Sequence, residues 1–162
     1  MSLPPTPTWA SPPPTFIPED QRAAALTLHL SPLAGLILPG LGNVLGPLVA
    51  WLFLRDRSHV LDAQGKESLN FQVSFWLYGL LLGILVFVLM VLGLLGGAAG
   101  AVTGRPEVGA LAFLGTFASF LLLYLPALLL FSLLPTVLMI VAAVRVSGGQ
   151  AYRYPLTIPF LR

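Results

Sequence analysis

Charged side chains are missing from three long stretches, residues 23–54, 68–104 and 108–144. About 20 consecutive apolar residues cross the hydrocarbon core of a bilayer as a helix, so each stretch is long enough to span one. Polar segments separate them: residues 55–67, which hold Arg55, Asp56, Arg57, Asp62, Lys66 and Glu67, and the turn Thr103-Gly104-Arg105-Pro106-Glu107. The pattern predicts an all-α fold, a polytopic transmembrane helical bundle of about four helical elements.

The first stretch is interrupted. Glu19 and Asp20 open a helix near its positive end. That helix meets Pro39-Gly40-Leu41-Gly42-Asn43, a run of turn formers. Either one kinked span or a hairpin that returns to its own side fits this broken segment. With a hairpin, Arg22, Arg55, Arg57, Lys66, Arg145, Arg153 and Arg162 share one side and Arg105 stands alone on the other, whereas a single span moves Arg22 across. Basic residues in short loops prefer the cytoplasm, so the hairpin, with both termini cytoplasmic, agrees slightly better. Residues 68–104 would measure about 55 Å as one helix against a core of about 30 Å, so an ending or loosening is expected near Gly96-Gly97 and Gly100. Pro126 and Pro135 supply two candidate kinks in the third stretch.

Composition agrees with the pattern. Hydrophobic residues make up 57% of the 162 and charged residues 9%, where soluble domains carry roughly 25%. Residues 1–18 mix Pro with Ser and Thr and have no charge, so they are expected to form a disordered Pro-rich tail, leaving residues 19–162 as one membrane-embedded helical domain. The net charge of +2 is scattered over helix ends and forms no patch for nucleic acid. Absence of cysteine excludes disulfides, thiolate metal sites and cysteine nucleophiles.

Candidate chemistry gathers in two places. At 100° per residue, Glu67, Asn70, Ser74 and Tyr78 share one helical face, a polar stripe about two turns into the membrane that must pair with other helices or line a wet cavity. Lys66 and Gln72 flank it. His29 lies among leucines, suited to an interhelical hydrogen bond, and Asn43 sits at the break. After the last helix, Tyr152, Arg153 and Tyr154 suit the headgroup layer, and Pro155 and Pro159 keep the tail extended along the membrane surface or against the 55–67 loop. Ser74, Ser119 and Ser132 have no His or Lys at helical spacing, and the two histidines form no HExxH, so no catalytic, cofactor or metal site is expected.

Two motifs, Gly65-Lys66-Glu67-Ser68-Leu69-Asn70-Phe71-Gln72 and Gly149-Gln150-Ala151-Tyr152-Arg153-Tyr154-Pro155, with His29, Ser31, Pro39, Gly42-Asn43, Pro47 and Trp51 ahead of them, resemble a prokaryotic family of small polytopic membrane proteins of unknown function. That family is distantly similar to the twenty-kilodalton membrane subunit of the chloroplast inner-envelope protein translocon. The resemblance implies a four-helix membrane architecture with both termini on one side. It does not carry a transport activity across, since fold does not imply function. The sequence thus predicts a multi-pass, non-enzymatic protein of the cytoplasmic membrane, a component or accessory of a membrane assembly and translocon-like in build. Membrane lipids, further copies of itself or other membrane proteins are its expected partners. A small transporter or channel for an ion or solute is the alternative, because a broken segment facing a polar stripe is how many transporters build a binding site.

Overall fold

The computed structural model describes residues 14–161. A 3₁₀ turn at Glu19–Gln21 leads into helix α1 (Arg22–Leu30). Pro32 has no N–H to give the carbonyl of Leu28 four residues back. Two hydroxyls take that place, Ser31 Oγ and Ser68 Oγ, each donating to Leu28 O at 2.9 Å. The chain tightens into a second 3₁₀ segment, Ser31–Leu36, and turns with Gly40 at φ 85°. It returns as α2 (Gly42–Leu54), which lies directly on the 3₁₀ segment. A Cβ on Gly42 would strike the Ala34 carbonyl, and one on Gly46 the Ser31 carbonyl. Residues 23–54 thus fold back on themselves, and the Ser58 hydroxyl donates to Gln21 Oε1 at 2.6 Å across the base of the hairpin.

A 3₁₀ turn, Arg55–Arg57, precedes α3 (His59–Val102), whose 44 residues extend about 66 Å. The loosening expected near residue 95 does not occur. Gly93, Gly100 and Gly109 instead serve close packing: a Cβ on Gly93 would overlap Thr116, and one on Gly100 the backbone of Gly109. After the Gly104 turn, α4 (Pro106–Ser119), a π turn (Phe120–Tyr124) and α5 (Leu125–Ser147) follow without a break. The π turn falls just before Pro126, where a missing N–H frees the Leu122 carbonyl. Pro135 stays within α5.

The described residues gather into two compact units: those up to Val73 with those from Leu138 onward, and Ser74–Val137. The first has the buried core, made of Ile17, Ala25, Leu28, Leu54, Leu61 and Val146. Thr15 to Ile17, part of the expected Pro-rich tail, are pinned here: Ile17 N–H donates to Gly149 O at 2.8 Å and Ala151 N–H to Thr15 O at 3.1 Å. The expectation of disorder for residues 1–13 lies outside the described residues.

The second unit is apolar on its outside. The most hydrophobic 18-residue windows of His59–Val102 and Pro106–Ser147 are only 6% and 11% buried. A core helix of a soluble protein would be mostly buried, so these surfaces fit an apolar solvent. Their hydroxyls need no external partner. Thr116, Ser119, Ser132 and Thr136 each donate to a carbonyl three or four residues back, at 2.8–3.2 Å.

Candidate functional site: a helix face that holds the C-terminal tail

Gln64, Glu67 and Asn70 stand three residues apart on α3 and fall within one third of its circumference. Each holds the backbone of the segment after α5. Gln64 Oε1 accepts the Tyr152 N–H at 3.0 Å, and Glu67 Oε1 accepts the Tyr154 N–H at 2.7 Å. Asn70 makes both bonds of a peptide pair with Leu161, its Oδ1 accepting the N–H at 2.8 Å and its Nδ2 donating to the carbonyl at 3.0 Å. Glycine starts this path: Gly149 at φ 83° turns the chain out of α5, and a Cβ there would press on the Arg22 guanidinium. The tail is thus held by α3 side chains and by the strand-like pairing with Thr15 to Ile17.

Hydrogen-bond logic fixes the interior of this clasp. A backbone N–H can only donate, so the Gln64 atom facing Tyr152 is its oxygen. The same oxygen lies 2.9 Å from His29 Nε2, which must therefore carry a proton. Full burial disfavours a charged ring, so Nδ1 is the unprotonated nitrogen and accepts from the Tyr154 hydroxyl at 3.1 Å. His29 is fully buried and neutral in this arrangement, with both nitrogens used. The Tyr154 ring stacks on Phe71 with centroids 4.1 Å apart, and meets Tyr152 edge-on at 4.9 Å. Burial first, then the neighbouring Tyr152 and Glu67, pushes the Tyr154 phenol well above the ordinary tyrosine range. Burial also raises Tyr152, by less.

Of the residues singled out by sequence, His29, Glu67, Asn70, Tyr152 and Tyr154 meet in this clasp. Arg153 is exposed beside it and acts electrostatically on Glu67. Lys66 turns away to pair with Asp62 at 2.7 Å, and Asp62 also accepts the Trp51 indole N–H at 2.8 Å. Gln72 and Ser74 are buried, and Tyr78 sets its ring edge-on to Phe75 at 5.9 Å. Asn43 is not brought into the group. It is exposed at the start of α2, its side chain where a Gly35 Cβ would be. The polar stripe was expected to bond to other helices or line a cavity. Glu67 and Asn70 bond to an extended segment, because a tail rich in Pro leaves its N–H and C=O groups free for side chains to satisfy.

The hub of the clasp, Gln64, is not among the residues that the sequence singles out. Gln64 lies one turn before Glu67 on the same face and was legible as a continuation of the stripe. Ser68 and Leu161 gave no comparable signal. Chemically the arrangement recognises peptide backbone. Among the described residues no three His, Asp or Glu side chains gather as a metal site.

No curated protein and no solved structure matches this chain. A family model does, that of the magnetosome magnetite crystal formation protein family, over residues 20–161. The matched range begins in the first 3₁₀ turn and ends at Leu161, taking in both sides of the clasp. The chain belongs to this family, MamF/MmsF.

Proposed function

We propose that this protein is a non-enzymatic, multi-pass integral membrane component of a membrane assembly, and that the assembly is one that serves magnetite crystal formation, the role in the family's description. The observation that carries this reading is the outward apolar surface of His59–Val102 and Pro106–Ser147. That surface suits lipid and neighbouring membrane proteins, while the polar groups at the clasp are engaged within the chain. Both termini lie on the cytoplasmic side in this reading. The pairing of Ile17 with Gly149 supports a shared side for the two ends of the described chain. A translocon-like build is proposed for the architecture alone, and its support is the Asn-containing polar motif around Asn70 that follows a paired first segment.

Transport of an ion or solute past the polar stripe has less support. Glu67 and Asn70 would have to release Tyr154 and Leu161 before either could bind cargo. Co-purification and proximity labelling in native membranes test the proposal. Reproducible protein partners, or further copies of the chain, are the expected result. Recovery only as a free monomer without partners would overturn it.

A further inference from the structure

The α1–α2 hairpin ends in an apolar tip. Leu36 and Ile37 are 81% and 88% exposed, and Leu38, Leu41 and Leu45 are exposed with them. Its base is polar, with Glu19, Asp20 and Arg22 entering one arm and Arg55, Asp56 and Arg57 leaving the other. The Ser58 hydroxyl donates to Gln21 Oε1 at 2.6 Å, which sets the two polar ends at one level. Between them no side chain is charged, and His29 is buried in the clasp.

Length decides what such a hairpin can do in a bilayer. The 13 residues of α2 rise about 20 Å, and the 9 of α1 with the 6 of the 3₁₀ segment about 25 Å. The hydrocarbon core is about 30 Å thick, so arms anchored among headgroups end inside it. Much of the turn's backbone is paired within the chain. Ile37 and Leu38 N–H donate to Ala34 O at 3.1 and 2.9 Å, Gly42 N–H to Leu38 O at 2.8 Å, and Val44 and Leu45 N–H to Leu41 O at 3.1 and 2.9 Å. Pro39 has no N–H to satisfy. Each N–H paired in this way is one that lipid tolerates, whereas the N–H groups of Gly40 and Leu41 and the exposed Asn43 side chain are polar groups that the tip carries with it.

We propose that the α1–α2 hairpin is a re-entrant wedge: it enters from the side that carries Arg22 and Arg55, packs acyl chains around Leu36, Ile37 and Leu41, and returns to that side without emerging on the other. The proposal rests on the membrane embedding argued above, and its test separates the two. The chain has no cysteine, so single cysteines at Ile37, Phe53, Arg57 and Leu85 can each carry a probe in protein reconstituted into phosphatidylcholine vesicles. An environment-sensitive fluorophore at Leu85→Cys should be quenched by spin-labelled lipid, which reports embedding of α3. At Ile37→Cys quenching should be stronger from a label deep in the acyl chain than from a shallow one, and at Phe53→Cys the order should reverse. A membrane-impermeant maleimide should label Arg57→Cys from one face and Ile37→Cys from neither. Labelling of Ile37→Cys from the face opposite Arg57→Cys would mean that the hairpin crosses. Quenching there by aqueous iodide, or by neither iodide nor lipid, would place the tip in water or under protein. Each of these overturns the wedge while Leu85→Cys still reports lipid, and loss of lipid quenching at Leu85→Cys would overturn the embedding itself.

Discussion

Replacing Gln64 by Leu removes one oxygen that serves two donors, the Tyr152 N–H at 3.0 Å and His29 Nε2–H at 2.9 Å. Gln64 is 4% exposed, so water does not take over freely. His29 can move its proton to Nδ1 and donate to the Tyr154 oxygen, but then Nε2 is left without a donor and the phenol proton without its acceptor. Either tautomer leaves one imidazole nitrogen and one backbone N–H unpaired. An unsatisfied buried group costs about 1–3 kcal/mol, giving about 2–6 kcal/mol for the pair. The gain from an added apolar side chain offsets about 1–2 kcal/mol of this. A net loss near 3 kcal/mol corresponds to a fall of roughly 6–12 °C in Tm for a chain of this size, read by thermal unfolding in detergent. A local readout should agree. Trypsin cuts after the exposed Arg153, and the bond becomes available when Tyr154 leaves Glu67. If opening governs cleavage, 3 kcal/mol accelerates release of the segment after Arg153 about a hundredfold. An unchanged Tm together with an unchanged cleavage rate would refute the hydrogen-bond assignment at the centre of the clasp.

Asn70→Leu should free the end of the tail while sparing the clasp, because about 1 kcal/mol for each of two bonds is lost at Leu161. A spin label at Phe160→Cys should become mobile in that variant and only partly so in Asn70→Asp, which keeps the acceptor for the Leu161 N–H. Gly46→Ala should cost about 1–3 kcal/mol by driving a methyl into the Ser31 carbonyl, whereas Gly79→Ala and Gly83→Ala, with open space at the Cβ, should stabilise by up to about 1 kcal/mol of helix propensity and raise Tm by up to about 2–4 °C. Alkaline pH should destabilise the fold through Tyr154. Its folded pKa lies above the unfolded value of about 10, so its contribution is whole below pH 10 and is lost as pH rises beyond it. Tm measured from pH 8 to 11.5 should fall less steeply in Tyr154→Phe, and an equal slope would contradict the burial of that phenol.

The helices were legible because absence of charge over 20 residues or more is a property of the chain itself. The hairpin at Pro39-Gly40 was legible as one of two arrangements, since turn formers mark a break but not its direction. The glycines of α3 were misread for a definite reason. An unpartnered glycine weakens a helix, while one facing Thr116 or Gly109 lets a second helix approach, and only the partner tells these apart. The stripe of Glu67 and Asn70 was visible from its periodicity, but its partner was not. Those side chains bind the backbone of Tyr154 and Leu161, and a backbone group leaves no trace in the identity of its residue. The same holds for Thr15 to Ile17, where pairing with Gly149 to Ala151 uses only main-chain atoms.

Photo-crosslinking from the outward apolar faces in native membranes tests most directly whether this protein acts as a component of a membrane assembly. A photoreactive residue at Leu81, Leu95, Leu114 or Leu129, each exposed, samples the surfaces of α3, α4 and α5 in turn. The account predicts discrete protein adducts, either with the chain itself or with a distinct partner, from at least one of these positions. Lipid adducts alone from every position, in protein that keeps its native Tm, would contradict it.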